Sequence, residues 1–206
     1  MATPFTLHGD RRSGNCLKIK FVADHLSLPY IWREVDVLGG ETRTPAFLKI
    51  NPAGQVPVVT WQDGRSLAQS NAIIRYLARD SALLPEDPFT QAQVDSWLFW
   101  EQYSHEPYVA VARFQMAYLG KPRSDIDPKL VERGNAALDL MEFALGFSEW
   151  LVGKSLTIAD VALLAYTRLA PEGGFSVASR PRVSAWISAC EDALNIPPIS
   201  GTARHD

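Results

Sequence analysis

Cysteine is nearly missing from this chain. Cys16 and Cys190 are the two it has, and they lie far apart in sequence. That gives no disulfide framework and suits a reducing compartment. Long hydrophobic runs are missing as well, none approaching the roughly 20 residues that span a bilayer, so no membrane partner is expected. The N-terminus, Met1-Ala2-Thr3-Pro4-Phe5, has no basic segment followed by a long apolar run. No signal peptide is therefore expected, and the cytoplasm is the expected location. An excess of one charge is lacking too: 20 Lys and Arg against 23 Asp and Glu leave a formal net charge of -3, which argues against nucleic acid as a partner. The four histidines are unpatterned. His105-Glu106 lacks the second histidine a helical turn later that a zinc-binding helix needs, since Val109 and Ala110 stand there, and no metal is expected. His8, His25 and His205 have no partner pattern either. No internal repeat or low-complexity segment is present.

What remains is an ordinary globular composition, 47% hydrophobic and 21% charged over 206 residues, enough for one large domain or two modest ones with a real core. Phe5–His8 is a short alternating strand, followed by a polar, turn-rich run. From Cys16 to Leu26 the apolar positions Leu17, Phe21, Val22 and Leu26 recur at helical spacing, and Leu28-Pro29 closes that helix. Tyr30–Val37 reads as a second strand with Ile31, Val35 and Val37 as its apolar members. Thr44–Ile50 reads as a short helix with Pro45 in its first turn.

The segment from Asn51 to Arg79 then gives a strand, a tight turn at Gln62-Asp63-Gly64, a second strand, and a helix opening at Ser70. Pro57 sits at the start of an apolar strand, where its missing N–H and its cis option both matter. Val56 before it can offer its own N–H and C=O to an extended peptide. Gln69-Ser70 falls where a strand hands over to a helix, and a helix N-terminus favours an anion. A peptide-like ligand with a carboxylate fits that combination. The order β-α-β-α-β-β-α predicts a four-stranded mixed sheet with helices on both faces.

After Arg79 the character changes. A proline-bearing connector leads into helical segments with no convincing alternating strand. A long amphipathic helix beginning near Val94 should be kinked or split at Pro107. Further helices are predicted over Pro128–Phe147 and Pro181–Leu194. Between them, Thr157 with Asp160 three residues on is a capping box before the all-apolar run Val161–Tyr166.

Three motifs taken together resemble the cytosolic glutathione transferases, and the resemblance covers essentially the whole chain. They are Asn51-Pro52-Ala53-Gly54-Gln55-Val56-Pro57-Val58, then Gln69-Ser70-Asn71-Ala72-Ile73-Ile74-Arg75-Tyr76-Leu77, then Thr157-Ile158-Ala159-Asp160. The resemblance implies an α/β thioredoxin-like glutathione-binding domain over 1–80, a linker over 81–90, and an all-α second-substrate domain over 91–206. It implies glutathione as co-substrate with no prosthetic group, a small hydrophobic electrophile as second partner, and a homodimer. It places glutathione against Val56, with Pro57 cis, against Gln69 and Ser70 through the γ-glutamyl carboxylate, and against Thr42, Arg43 and Gln55.

In such enzymes the thiol is activated between the first strand and the first helix, here Gly9-Asp10-Arg11-Arg12-Ser13-Gly14-Asn15-Cys16-Leu17-Lys18. No tyrosine occurs there, which disfavours a tyrosine-type enzyme. Ser13 matches the serine of theta-like enzymes, Asn15 resembles the asparagine of some bacterial types, and Cys16 resembles the cysteine of beta-class enzymes. A hydroxyl or amide donor near a helix N-terminus stabilises a thiolate, so Ser13 ranks first, Asn15 second and Cys16 third. The plainer readings are a helix N-cap for Ser13 and a small buried apolar residue for Cys16. Tyr103, Tyr108 and Arg113 are candidates for the second-substrate pocket, although tyrosines with one wet end also suit an interface. Arg11 and Arg12 read as an anion-attracting pair or as solvated loop charges. The expected function is conjugation of glutathione to an electrophile. The alternatives are a glutathione-dependent disulfide or peroxide reductase and a non-catalytic interaction module.

Overall fold

The computed structural model describes residues 3–199, and the chain divides into two compact units, Met1–Leu84 and Pro85–Asp206. The tail expected after Pro198 falls, from position 200 onward, outside the described residues, and so does His205.

The first unit runs β1 (Phe5–Gly9), α1 (Gly14–His25), β2 (Tyr30–Glu34), α2 (Pro45–Ile50), β3 (Val58–Trp61), β4 (Ser66–Ala68) and α3 (Ser70–Leu77). The strands form one mixed sheet in the order β2-β1-β3-β4, with β1 parallel to β2 and antiparallel to β3. Strand alternation divides the core between two faces. Leu7 and Val59 stand opposite each other in the ladder and are fully buried. On their face Trp61 meets Tyr76 of α3 edge-on, with ring centroids 5.5 Å apart, and α1 packs against α3. Val58 points the other way, into a cluster with Val35 and Phe47 of α2.

Two expectations are corrected here. β2 ends at Glu34 and not at Val37, because the Val35 N–H makes the last parallel ladder bond to the Gly9 carbonyl (3.0 Å), where β1 itself ends, and the chain turns through Asp36. Ile31, read as a core member, is 68% exposed, since β2 is an edge strand whose alternate side chains face outward.

The second unit is helical: α4 (Pro88–Trp100), α5 (Glu106–Arg113), α6 (Pro128–Ala144), α7 (Ile158–Thr167) and α8 (Pro181–Leu194). The helix starts follow local chemistry. Asp87 and Asp127 cap α4 and α6 with their carboxylates, each followed by proline at the first helical position. Pro107 does not simply kink the long helix. A π-helical segment, Glu101–His105, joins α4 to α5, and a second, Phe114–Tyr118, follows α5. Pro107 has no N–H to give to the Tyr103 carbonyl, so the regular ladder cannot continue there. α6 stops at Ala144, three residues short of the expected Phe147, which is 78% exposed. Every residue of α7 is buried. Its capping box is formed, with Asp160 accepting from the Thr157 N–H (2.9 Å), the Leu151 N–H (3.0 Å) and the Trp186 indole (3.0 Å). Burial pushes the Asp160 carboxyl up, against the pull of those donors.

Among the described residues no helix is long and apolar enough to cross a membrane.

Candidate functional site

The first unit gathers chemistry at the N-terminal ends of α1 and α3. The β1–α1 loop is held by its own backbone. Ser13 N–H donates to the Asp10 carbonyl at 3.0 Å, and the Ser13 carbonyl accepts from Cys16 and Leu17 at 3.1 and 3.0 Å. Ser13 thus occupies the N-cap position of α1, yet its hydroxyl makes no capping bond. It reaches instead to the thiol of Cys16, where hydrogen bonds from Ser13 and from the Asp10 backbone favour the thiolate. Burial outweighs both: Cys16 is fully enclosed and its thiol is pushed up to about 12. Gly9 is the reason the thiol fits. A Cβ at Gly9 would stand 2.8 Å from Cys16 Sγ, so the end of β1 approaches α1 more closely than any side chain allows.

Asn15 turns toward α3. Its Oδ1 accepts from the Ser70 hydroxyl at 3.0 Å. Ser70 is itself buried, and its oxygen accepts from Lys18 Nζ at 3.4 Å, while the same ammonium donates to Asn71 Oδ1 at 3.1 Å. Lys18 has no exposed surface. Gln69, just before α3, is exposed and takes φ 71, ψ 110, a left-handed backbone that a non-glycine residue adopts at a cost of about 1–3 kcal/mol. That conformation turns the chain sharply from β4 into the helix and leaves the first N–H groups of α3 directed at the same corner as Ser70.

The peptide bond between Val56 and Pro57 is cis. Strand pairing begins two residues after Val56, where Val58 stands opposite His8 and Ala68. Asn51 builds the loop that leads there. Its side-chain amide donates to the Gln55 carbonyl at 2.6 Å, its Oδ1 accepts from Ala53 N–H at 3.2 Å, and its own carbonyl accepts from Gly54 N–H at 2.9 Å. The Gln55 side chain is exposed. Thr42 is buried in a 3-10 turn, Glu41–Arg43, and the exposed Arg43 guanidinium donates to the Ala53 carbonyl at 3.3 Å. Arg11 lies over the Trp32 ring at 4.9 Å and pairs with Glu34 at 3.3 Å, while Arg12 lies 3.6 Å from Asp10. Both loop arginines are thus held by carboxylates.

The three candidates in the second unit differ in exposure and in partner. Tyr103 is 83% exposed on the first π segment. The Tyr108 hydroxyl accepts from Arg133 at 2.9 Å. Arg113 is buried, with Nε and Nη2 both 2.8 Å from the Glu172 carboxylate. His105 is buried as well; the Thr167 hydroxyl donates to the Leu163 carbonyl (2.7 Å), so His105 Nε2 supplies the proton in its 3.0 Å contact with that hydroxyl.

Residues 12–80 match the family described as glutathione S-transferase, N-terminal domain, and residues 102–192 match glutathione S-transferase, C-terminal domain. Glutathione S-transferase 3 of Zea mays is 32% identical over 198 residues, spanning 90% of this chain and 88% of the maize protein. The chain belongs to the glutathione S-transferase family. A crystal structure of a glutathione S-transferase from Pseudomonas fluorescens Pf-5 superposes with a TM-score of 0.91 at 47% identity, covering 95% of this chain and 98% of that one. Protein URE2 of Candida albicans is 27% identical, over 98% of this chain and 70% of its own length. The transferase fold accounts for the sheet-and-helix unit followed by the helical unit. Glutathione is the co-substrate of the family.

Lys18 and Asn71 escaped the sequence reading. A lysine on an amphipathic helix reads as a surface residue, yet Lys18 lies one position before Ile19 and four before Val22, both fully buried. That placement on the apolar side was the available signal.

Proposed function

We propose that this glutathione transferase binds glutathione in its N-terminal unit, lowers the thiol pKa through the β1–α1 loop, and conjugates the thiolate to a small electrophile. The observation that carries this reading is the hydrogen bond from Ser70 to Asn15, which ties the corner suited to a carboxylate to the loop suited to a sulfur. In this reading Val56 pairs its backbone with the cysteinyl part of the tripeptide, Gln69 and Ser70 take the γ-glutamyl carboxylate, and Thr42, Arg43 and Gln55 lie toward the glycine end. The Ser13 hydroxyl turns from Cys16 to donate a hydrogen bond to the glutathione sulfur, which holds the sulfur as thiolate; the proton released by the thiol goes to solvent. The thiolate then forms a bond to the electrophilic carbon, and the electron pair of the breaking bond leaves with the displaced group. Asn15 assists, or braces the loop.

Cys16 takes the third place. A thiol enclosed and pushed up to about 12 is a poor partner for a mixed disulfide. The helical unit supplies the electrophile site in this reading, with Tyr103, Tyr108 and Arg113 as the residues to examine. A homodimer is part of it too, and the exposed Phe89, Phe99 and Tyr103 are apolar surface that a second copy could cover. Light scattering at micromolar concentration tests the dimer.

The decisive experiment is a parallel assay with an aryl halide and with a glutathionyl disulfide. Turnover of the halide with little reduction of the disulfide is expected. The reverse result would assign the protein as a reductase, and no binding of glutathione at millimolar concentration in isothermal titration would favour an interaction module.

A further inference from the structure

We propose that Glu34, at the end of β2, is a positioning residue for the transfer step: it pins the β1–α1 loop so that the Ser13 hydroxyl can turn to the glutathione sulfur without the backbone moving. This rests on the glutathione reading above. Glu34 stands opposite Gly9 in the parallel register, so its side chain starts where β1 gives way to the loop. Its Oε1 accepts from the Arg11 N–H at 3.1 Å. Its Oε2 lies 3.3 Å from Arg11 Nε and accepts from the Trp32 indole N–H at 2.8 Å. Trp32 shares a face of β2 with Glu34, two positions away, and its ring carries the Arg11 guanidinium at 4.9 Å. One carboxylate, oriented from its own strand, thus holds both the main chain and the side chain of Arg11.

The following residues of the loop are tied to Asp10. The Arg12 N–H donates to Asp10 Oδ1 at 2.8 Å, and the Ser13 N–H donates to the Asp10 carbonyl at 3.0 Å. Those bonds fix the shape of the loop, whereas the Glu34 bond fixes its place against the sheet, two residues before Ser13. A hydroxyl changes partner by rotation about one bond, which delivers it accurately only if its Cα is held. As a partly exposed ion pair the contact adds little stability. Its second oxygen, aimed at a backbone N–H, serves position instead. The charge is balanced as well. At Cys16 burial is the main cause that holds the thiol up, and the carboxylates of Asp10 and Glu34 add to it. A sulfur bound at the same loop would feel the same two charges, and the guanidiniums of Arg11 and Arg12 lie against them.

The test is ultraviolet titration of bound thiolate, with steady-state conjugation of an aryl halide, in three variants. Glu34→Ala removes the acceptor, Glu34→Asp keeps the charge but is one methylene short, and Glu34→Gln keeps a carbonyl oxygen for the Arg11 N–H. Glu34→Ala and Glu34→Asp should each raise the titration midpoint by about half a unit, part of what one hydrogen bond to sulfur supplies, and lower kcat about threefold below that midpoint. KM for glutathione should hold, since Val56, Gln69 and Ser70 lie outside the loop. Glu34→Gln should recover most of both effects. In a Ser13→Ala background Glu34→Ala should add nothing. A full second shift in that background, or a Glu34→Gln protein as impaired as Glu34→Ala, would overturn the proposal. A Glu34→Ala protein that loses thermal stability with titration and kcat unmoved would overturn it too, leaving Glu34 a structural contact. Should Glu34→Ala fail to fold by circular dichroism, Glu34→Asp against Glu34→Gln carries the same comparison. If the intact chain shows neither glutathione binding nor a thiolate band at millimolar ligand, the glutathione reading itself fails and the Glu34 proposal falls with it. An intact chain that binds and titrates, matched by all three variants, overturns only the Glu34 proposal.

Discussion

The Ser70 hydroxyl donates to Asn15 Oδ1 across 3.0 Å, although 55 positions separate the two residues in the chain. The bond joins the first turn of α3 to the first turn of α1, so a change on either side is felt on the other. Ser70→Ala is expected to weaken glutathione binding about fivefold, the effect of losing the one neutral hydrogen bond that fixes the start of α3 against α1. It should also raise the pH at which bound thiolate absorbs in the ultraviolet, because Asn15 loses its brace. Weaker binding with an unmoved thiolate titration would show that the two corners work independently.

Ser13 and Cys16 make opposite predictions. Ser13→Ala should raise the apparent pKa of bound glutathione by about one unit, equivalent to roughly 1.4 kcal/mol of thiolate stabilisation. Cys16→Ala should leave that titration within a few tenths of a unit. Ultraviolet titration of the two variants side by side is the measurement. Activity lost in Cys16→Ala and kept in Ser13→Ala would reverse the ranking.

Alkaline pH offers a separate test of the buried thiol. The folded Cys16 thiol is held at about 12, above its ordinary value of 9.0. Its contribution to stability is fully present below pH 9. Between 9 and 12 the unfolded chain has lost this proton while the folded chain still holds it, so stability falls as pH rises, by up to about 1.4 kcal/mol per unit. Urea midpoints from pH 8 to 11 should therefore drop more steeply for the intact chain than for Cys16→Ala. Parallel curves would mean that the thiol titrates normally.

The contact between Gly9 and Cys16 predicts a pair effect. Gly9→Ala brings a methyl to 2.8 Å from Sγ and 3.1 Å from Cys16 Cβ, an overpacking that should cost about 1–3 kcal/mol. Combining it with Cys16→Ala should recover part of that loss, since the nearer of the two clashes is then gone. Additive losses in denaturant unfolding would contradict the contact.

In the second unit Asp160 carries the tightest prediction. Asp160→Ala strands the Leu151 and Thr157 N–H groups and the Trp186 indole. A loss of about 3 kcal/mol or more is expected, visible as a large fall in the thermal midpoint with no change in secondary-structure content below it.

These residues differ in how readily the sequence disclosed them. Thr157 and Asp160 were legible because a capping box is written within four consecutive positions and depends on little else. The helix starts at Pro128 and Pro181 were legible, whereas α4 opens at Pro88, inside the expected connector and six residues before Val94. Ile31 was misread because alternation tells which residues share a face, not whether anything covers that face. Leu17 and Leu26, taken as the apolar side of α1, are half-buried, while Cys16, Lys18 and Ile19 are fully enclosed. Periodicity weighted by hydrophobicity passes over a lysine even where, like Lys18, it stands on the buried side of the helix, and its partners lie 52 and 53 positions away. The valine–proline pair and Gln69-Ser70 were legible as motifs, but the left-handed backbone of Gln69 was not, since glutamine has no preference for it.

The two π segments give the long helix of the second unit a property of bookkeeping by length. Each wide turn holds one residue more than an α turn does. A residue gained or lost inside a wide turn is taken up by the turn itself, so the side chains beyond it keep nearly the same faces. A residue lost from regular helix such as α4 would instead swing every side chain beyond it by about 100° around the axis. The wide turn at 101–105 is thus the place along this helix where chain length is free to vary without re-aiming Tyr108, Val109 and Arg113.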